Sequence, residues 1–206
     1  LLSAGRNAPL APDQDMAFSP ENGAVFSDIP VESYVRLWCR IKHNNPNYYR
    51  REGKTVIERL NITPLFRKLG RELSKGQRRR VQTAVGFLTN PRVFLFDEPF
   101  DGLDVLQSSL LSQIMLEESS RMGMIISSHR MDVVEQLADQ VIVLKGVRVL
   151  AAGTVAEACL ALCPAQSQAT YSNGNGATHK PSALSLGAAM NYHLIHSPDT
   201  VVDSDL

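Results

Sequence analysis

Asp97 and Glu98 stand side by side after an apolar run, Val93-Phe94-Leu95-Phe96, and are followed by Pro99. A short apolar run of this kind reads as a strand buried on both faces. Open α/β sheets place ligands at the carboxyl ends of their strands. A carboxylate at Asp97 can there hold Mg²⁺, directly or through water, beside nucleotide phosphates. Glu98 points elsewhere, because successive residues at a strand end face opposite ways. One carboxylate can therefore bind metal while the other polarises an attacking water. An exposed acidic turn before proline is the alternative reading for this pair alone.

Ser74-Lys75-Gly76-Gln77 opens a helix. Free N–H groups and the positive end of the helix dipole favour phosphate there, and Gly76 lets another group approach the backbone closely. A plain serine N-cap is the alternative. His129 follows a second apolar run, Met124-Ile125-Ile126, and precedes a helix. From that position it can hydrogen-bond a phosphate and help hold water. A lone surface histidine would serve no such purpose. Asp104 ends the turn Phe100-Asp101-Gly102-Leu103-Asp104 and also suits the N-cap of the helix after it.

These residues need a frame. Asp28 is expected to cap a helix over Val31–Ile41, with Pro30 in its first turn. Further helices are expected at Lys54–Leu60, from Thr63 to Gly70, from Ser74 to Leu88, at Val105–Arg121, at Met131–Ala138 and at Val155–Leu162. Arg92–Phe96 and Met124–Ser127 read as buried strands, and 140–150 as a hairpin turning at Lys145-Gly146. Residues 1–17 read as irregular. The alternation of helices and strands gives an α/β fold with a mainly parallel sheet. The domain spans 1–163, with a helical lobe at about 30–90, and a Ser-, Asn- and Gly-rich tail at 164–206 reads as disordered.

Lysine plus arginine and aspartate plus glutamate number 21 each, which argues against a dedicated nucleic-acid binder. No apolar run approaches the roughly 20 residues of a membrane span. Cys39, Cys159 and Cys163 lack zinc-site spacing and read as buried apolar residues. Gly53-Lys54-Thr55 imitates the end of a phosphate loop, but Tyr48 stands where its first glycine belongs. No G-x-x-x-x-G-K-S/T element occurs in the 206 residues.

Together, Leu73-Ser74-Lys75-Gly76-Gln77, Asp97-Glu98-Pro99, Asp101-Gly102-Leu103-Asp104 and Ser128-His129 resemble, in order and spacing, the ATP-binding domain of ABC transporters. The resemblance runs from about Phe18 to Glu157. It implies a P-loop NTPase-like ABC ATPase core with a helical lobe. The chain begins at Leu1 and lacks the phosphate loop, so the expectation is a fragment truncated at its N-terminus.

The resemblance also implies roles. Asp97 would hold Mg²⁺ and Glu98 would be the catalytic base, with His129 at the γ-phosphate. Ser74, Lys75, Gly76 and Gln77 would meet ATP held by a second ATP-binding domain, although the family's usual residue at position 75 is glycine. Asp104 would lie in the loop that crosses that dimer interface. Glu21 falls where many members carry glutamine, in the loop linking the Mg²⁺ site to the membrane subunit. The implied protein hydrolyses ATP at a homo- or heterodimer interface to drive transport through a polytopic permease. It would sit in the cytoplasm, peripherally on the cytoplasmic face of the membrane. The alternatives are a soluble ABC-type ATPase acting on ribosomes or DNA, or an inactive fragment.

Overall fold

Three strands run parallel in the order β1, β2, β3: Met16–Ser19, Val93–Asp97 and Gly123–Ser127. They belong to a computed structural model that describes residues 9–163 and 185–190. The chain divides into two compact units, Leu1–His129 and Arg130–Leu206. The parallel α/β core expected from the sequence is present, but its first strand begins within the stretch read as irregular, at Met16. A single helical turn, α1 (Pro12–Asp15), leads directly into β1. Arg92 fastens this segment to β2: its N–H donates to the Asp15 carbonyl at 2.7 Å, and its guanidinium pairs with the Asp15 carboxylate.

The sheet is covered on one face. Phe94 and Phe96 alternate along β2, are 0% and 3% exposed, and stack on one another at 3.8 Å. Phe87 of α4 (Lys75–Leu88) meets both rings. The opposite face differs from the expectation of strands buried on both sides. Phe18, Leu95 and Ile125 form one cross-strand row, and its two outer members are 59% and 64% exposed. Apolar composition alone cannot say which face a helix covers.

The lobe begins with α2 (Val31–His43), which buries Val31, Tyr34, Val35 and Cys39 along one stripe. Its start departs from expectation: Pro30 is the N-cap, and Asp28 pairs with Arg71 at 2.6 Å. Asn44 closes the helix in the left-handed conformation, with Arg40, Lys42 and His43 complementing the dipole. Next comes α3 (Lys54–Arg59), capped by Gly53, so Gly53-Lys54-Thr55 is a helix start. In place of one helix from Thr63 to Gly70 there are two 3-10 turns, Thr63–Leu65 and Gly70–Glu72. The fifth helix, α5 (Val105–Glu118), lies between β2 and β3 in sequence.

The second unit contains α6 (Met131–Leu137), the antiparallel hairpin β4 (Val141–Lys145) and β5 (Arg148–Gly153), and α7 (Val155–Leu162). Gly146 takes φ +59° in the two-residue turn, the conformation a tight hairpin requires. Residues 186–190 are helical, and Leu186 and Ala189 are buried with Val143, Ala158 and Leu162. The reading of 164–206 as disordered therefore fails at 185–190. Its remaining residues lie outside those described. The three cysteines are free and buried.

Candidate functional site

Both carboxylates lie at the carboxyl end of β2, as its register requires. Asp97 pairs with Ser127 of β3, whose hydroxyl donates to Asp97 Oδ1 at 2.7 Å. The chain then bends sharply. Glu98 takes φ +47°, a left-handed conformation that side-chain-bearing residues seldom adopt away from functional turns. Its N–H donates to the Ser127 carbonyl at 3.1 Å and lies 3.2 Å from Ser127 Oγ. This bend carries the side chain to His129. Glu98 Oε2 lies 3.0 Å from His129 Nδ1 and accepts from the His129 backbone N–H at 3.4 Å. The carboxylate is 23% exposed and the imidazole 70%, so a shielded acceptor faces an open ring.

Mg²⁺ is compatible with these side chains in one respect. An ionised carboxylate offers about four acceptor sites, so the Ser127 bond leaves Asp97 with capacity for a metal or its water. No group of three or more His, Cys, Asp or Glu able to hold a metal occurs among the described residues. Mg²⁺ usually takes one or two carboxylates and completes its shell with water and phosphate oxygens.

The start of α4 is built by a reciprocal cap. Ser74 Oγ accepts from Gln77 N at 3.2 Å, and Gln77 Oε1 accepts from Ser74 N at 3.3 Å. Ser74 is exposed, while Leu73 before it is buried. Gly76 faces a neighbour in its own chain: a Cβ added there would come within 2.8 Å of the Gly102 carbonyl. Lys75 also turns toward its own chain. Its Nζ lies 2.6 Å from Asp101 and 3.8 Å from Glu21. That hydrogen bond and charge hold the Asp101 carboxyl below its usual range. Asp104 caps α5, accepting from Gln107 N at 2.8 Å. Ser74→Ala should lower stability by about 1 kcal/mol through loss of the cap. Urea unfolding checks this, and an unchanged midpoint would remove Ser74 from that role.

Two residues at this end of the sheet escaped sequence reasoning. Ser127 was hidden because only the pairing of β2 with β3 brings it to Asp97. Arg79 was hidden because an arginine within Arg78-Arg79-Arg80 looks like part of a solvated basic run. It is 2% exposed. One guanidinium N–H group donates to the Glu21 carbonyl. Burial lowers the Arg79 pKa, while Asp101, Glu21, Glu98 and Asp97 oppose that shift by their charge.

Between residues 21 and 50 the large apolar and aromatic side chains include a buried group and an exposed group. Tyr34 and Tyr49 are core residues, 4% and 2% exposed. Phe26, Leu37 and Ile41 present 55%, 38% and 60% of their surface. No helix among the described residues is long and apolar enough to cross a membrane.

Residues 9–101 match the family model described as ABC transporter. The chain is 30% identical over 131 residues to the uncharacterized ABC transporter ATP-binding protein YhaQ of Bacillus subtilis, covering 63% of this chain and 44% of that protein. It is 27% identical over 141 residues to the lipopolysaccharide export system ATP-binding protein LptB of Haemophilus influenzae, covering 68% and 58%. A solved ATP binding subunit of an ABC transporter superposes with a TM-score of 0.66 at 24% identity, over 77% of this chain and 65% of that one. CbiO1 from Clostridium perfringens, part of the ABC transporter complex cbiONQ, gives 0.55 at 27% identity, over 68% and 56%. The chain spans about half the length of the curated relatives it matches.

Proposed function

We propose that this chain, which belongs to the ATP-binding domains of the ABC transporter family, works as the ATP-binding subunit of a transporter. The observation that carries this reading is the Asp97, Glu98, Ser127 and His129 constellation at the carboxyl end of the parallel sheet. Glu98 accepts the proton of the attacking water, from a position where burial limits competition by solvent. His129, held through Nδ1, leaves its other ring nitrogen for a phosphate oxygen or that water. Asp97, oriented by Ser127, would hold Mg²⁺ with Glu21 on the adjoining loop; bound Mg²⁺ neutralises charge on the phosphates.

Ser74, Lys75, Gly76 and Gln77 offer the α4 terminus to ATP bound by a second ATP-binding domain. Asp104 lies in the turn that would border it. Hydrolysis is then phosphoryl transfer to water, driven by positioning and charge. The 206 residues contain no phosphate loop, so hydrolysis by these residues alone is not expected.

The partner is a polytopic permease, and the working place is the cytoplasmic face of its membrane. Phe26, Leu37 and Ile41 supply the exposed apolar contact such a partner would take. The charge balance fits a protein that does not need nucleic acid. Tagged protein purified from its own cells should bring down a multi-spanning membrane protein, with cross-links falling within 21–50. Sedimentation with ribosomes or DNA and no membrane protein would overturn this reading and favour the soluble ATPase.

A further inference from the structure

Lys75 occupies an unusual position. It is the first residue of α4, yet its side chain crosses to another loop. Its stem passes over Gly102: a Cβ built there would lie 3.6 Å from Lys75 Cδ and 3.7 Å from Cγ. Gly102 takes φ +74°, so the turn presents bare backbone to that stem. Beneath it, the Gly76 backbone approaches the Gly102 carbonyl too closely for any side chain. The ammonium group ends between two carboxylates, 2.6 Å from Asp101 and 3.8 Å from Glu21. Those carboxylates lie on two different loops, one after β2 and one after β1.

We propose that Lys75 is a positioning residue, an ionic clamp that holds the Asp101 turn and the Glu21 loop against the start of α4. Its stem covers the glycine contact, and its charge ties down the carboxylate on either side. The clamp does three things at once. It fixes the turn that carries Asp104. It keeps Gly76 in register with Gly102. It supplies a resident positive charge where Glu21, Asp97, Glu98 and Asp101 all act on Arg79 and so gather negative potential. The value of that charge to a bound polyphosphate rests on the ATP-site reading above; the clamp itself does not.

Lys75 and Asp101 are both partly solvated, with side chains 53% and 38% exposed, so the clamp is modest and sensitive to salt. Hydrogen exchange of the full chain, without nucleotide, tests it. The Asp101 and Leu103 amides report directly, since they donate to the Glu98 and Phe100 carbonyls within the turn. Lys75→Met keeps the stem and removes the charge. It should speed exchange at these two amides about two- to fivefold, the range an exposed ion pair allows, with the urea midpoint nearly unchanged. Lys75→Arg should restore protection, as should Lys75→Asp combined with Asp101→Lys. Raising salt from about 50 mM to about 500 mM should loosen the natural turn and leave the Met variant unaffected. Unchanged exchange in Lys75→Met, or equal loss in the Arg and Met variants, would overturn the clamp. Either result would leave the ATPase reading standing. Unchanged turnover in Glu98→Gln, in a chain that carries a phosphate-binding loop and with the clamp intact, would separate the two in the other direction.

Discussion

Glu98→Gln should lower ATP turnover about 10²- to 10⁴-fold, the usual range for removing a general base, in a chain that carries a phosphate-binding loop ahead of residue 9. ATP binding should survive. The amide is nearly isosteric with the carboxylate and leaves the bend at position 98 as it is. It can still accept from the His129 N–H that Glu98 Oε2 now engages. The Ser127 bond to Asp97 does not involve the Glu98 side chain and is untouched. What disappears is the capacity to take a proton from water. Phosphate release and nucleotide titration measure the two properties separately. Unchanged turnover would remove Glu98 from the role of base; loss of ATP binding would mean that its charge serves the nucleotide rather than the water.

The largest effect on stability is expected at Phe94. It is fully buried, stacks on Phe96 and meets the edge of Phe87. Phe94→Ala should cost about 3–5 kcal/mol, combining lost burial with the cavity left behind. Gly86 tests the same contact from the helix side. A Cβ there would lie 2.0 Å from Phe94 Cζ, so Gly86→Ala should cost about 1–3 kcal/mol through overpacking. The two changes share one space and should not add. In the Phe94→Ala background, Gly86→Ala should be neutral or stabilising, because alanine has the better helix propensity and the ring is gone. Denaturant melts of the four proteins give the cycle. Simple additivity would show that α4 does not depend on this contact.

Local chemistry made much of this legible. The Ser74 cap, the Asp104 cap and the Gly146 turn were readable because each depends on residues within a few positions. Long-range partners were not. Asp28 looked like a cap, but Arg71, far along the chain, engages it and leaves the helix to begin after Pro30. Residues 1–17 read as irregular, and nothing local announced that Met16–Ser19 would pair with β2. Ser127 joined the site only through strand register. Lys75 looked like a charge offered outward, because the carboxylates that turn it inward lie on other loops. The Phe18 and Ile125 row shows the limit of composition: the sequence marks both faces of the sheet as apolar, and the contacts decide which is covered.

The bend at Glu98 has a consequence for how this protein could be altered. Glycine would rest at φ +47° without steric cost, and asparagine would tolerate it far better than glutamate does. A library sorted only for survival of heating should therefore enrich glycine or asparagine at position 98. Its winners would be robust and chemically idle. In a lineage released from the demand for turnover, position 98 would be among the first to drift, since only chemistry keeps so ill-suited a residue there.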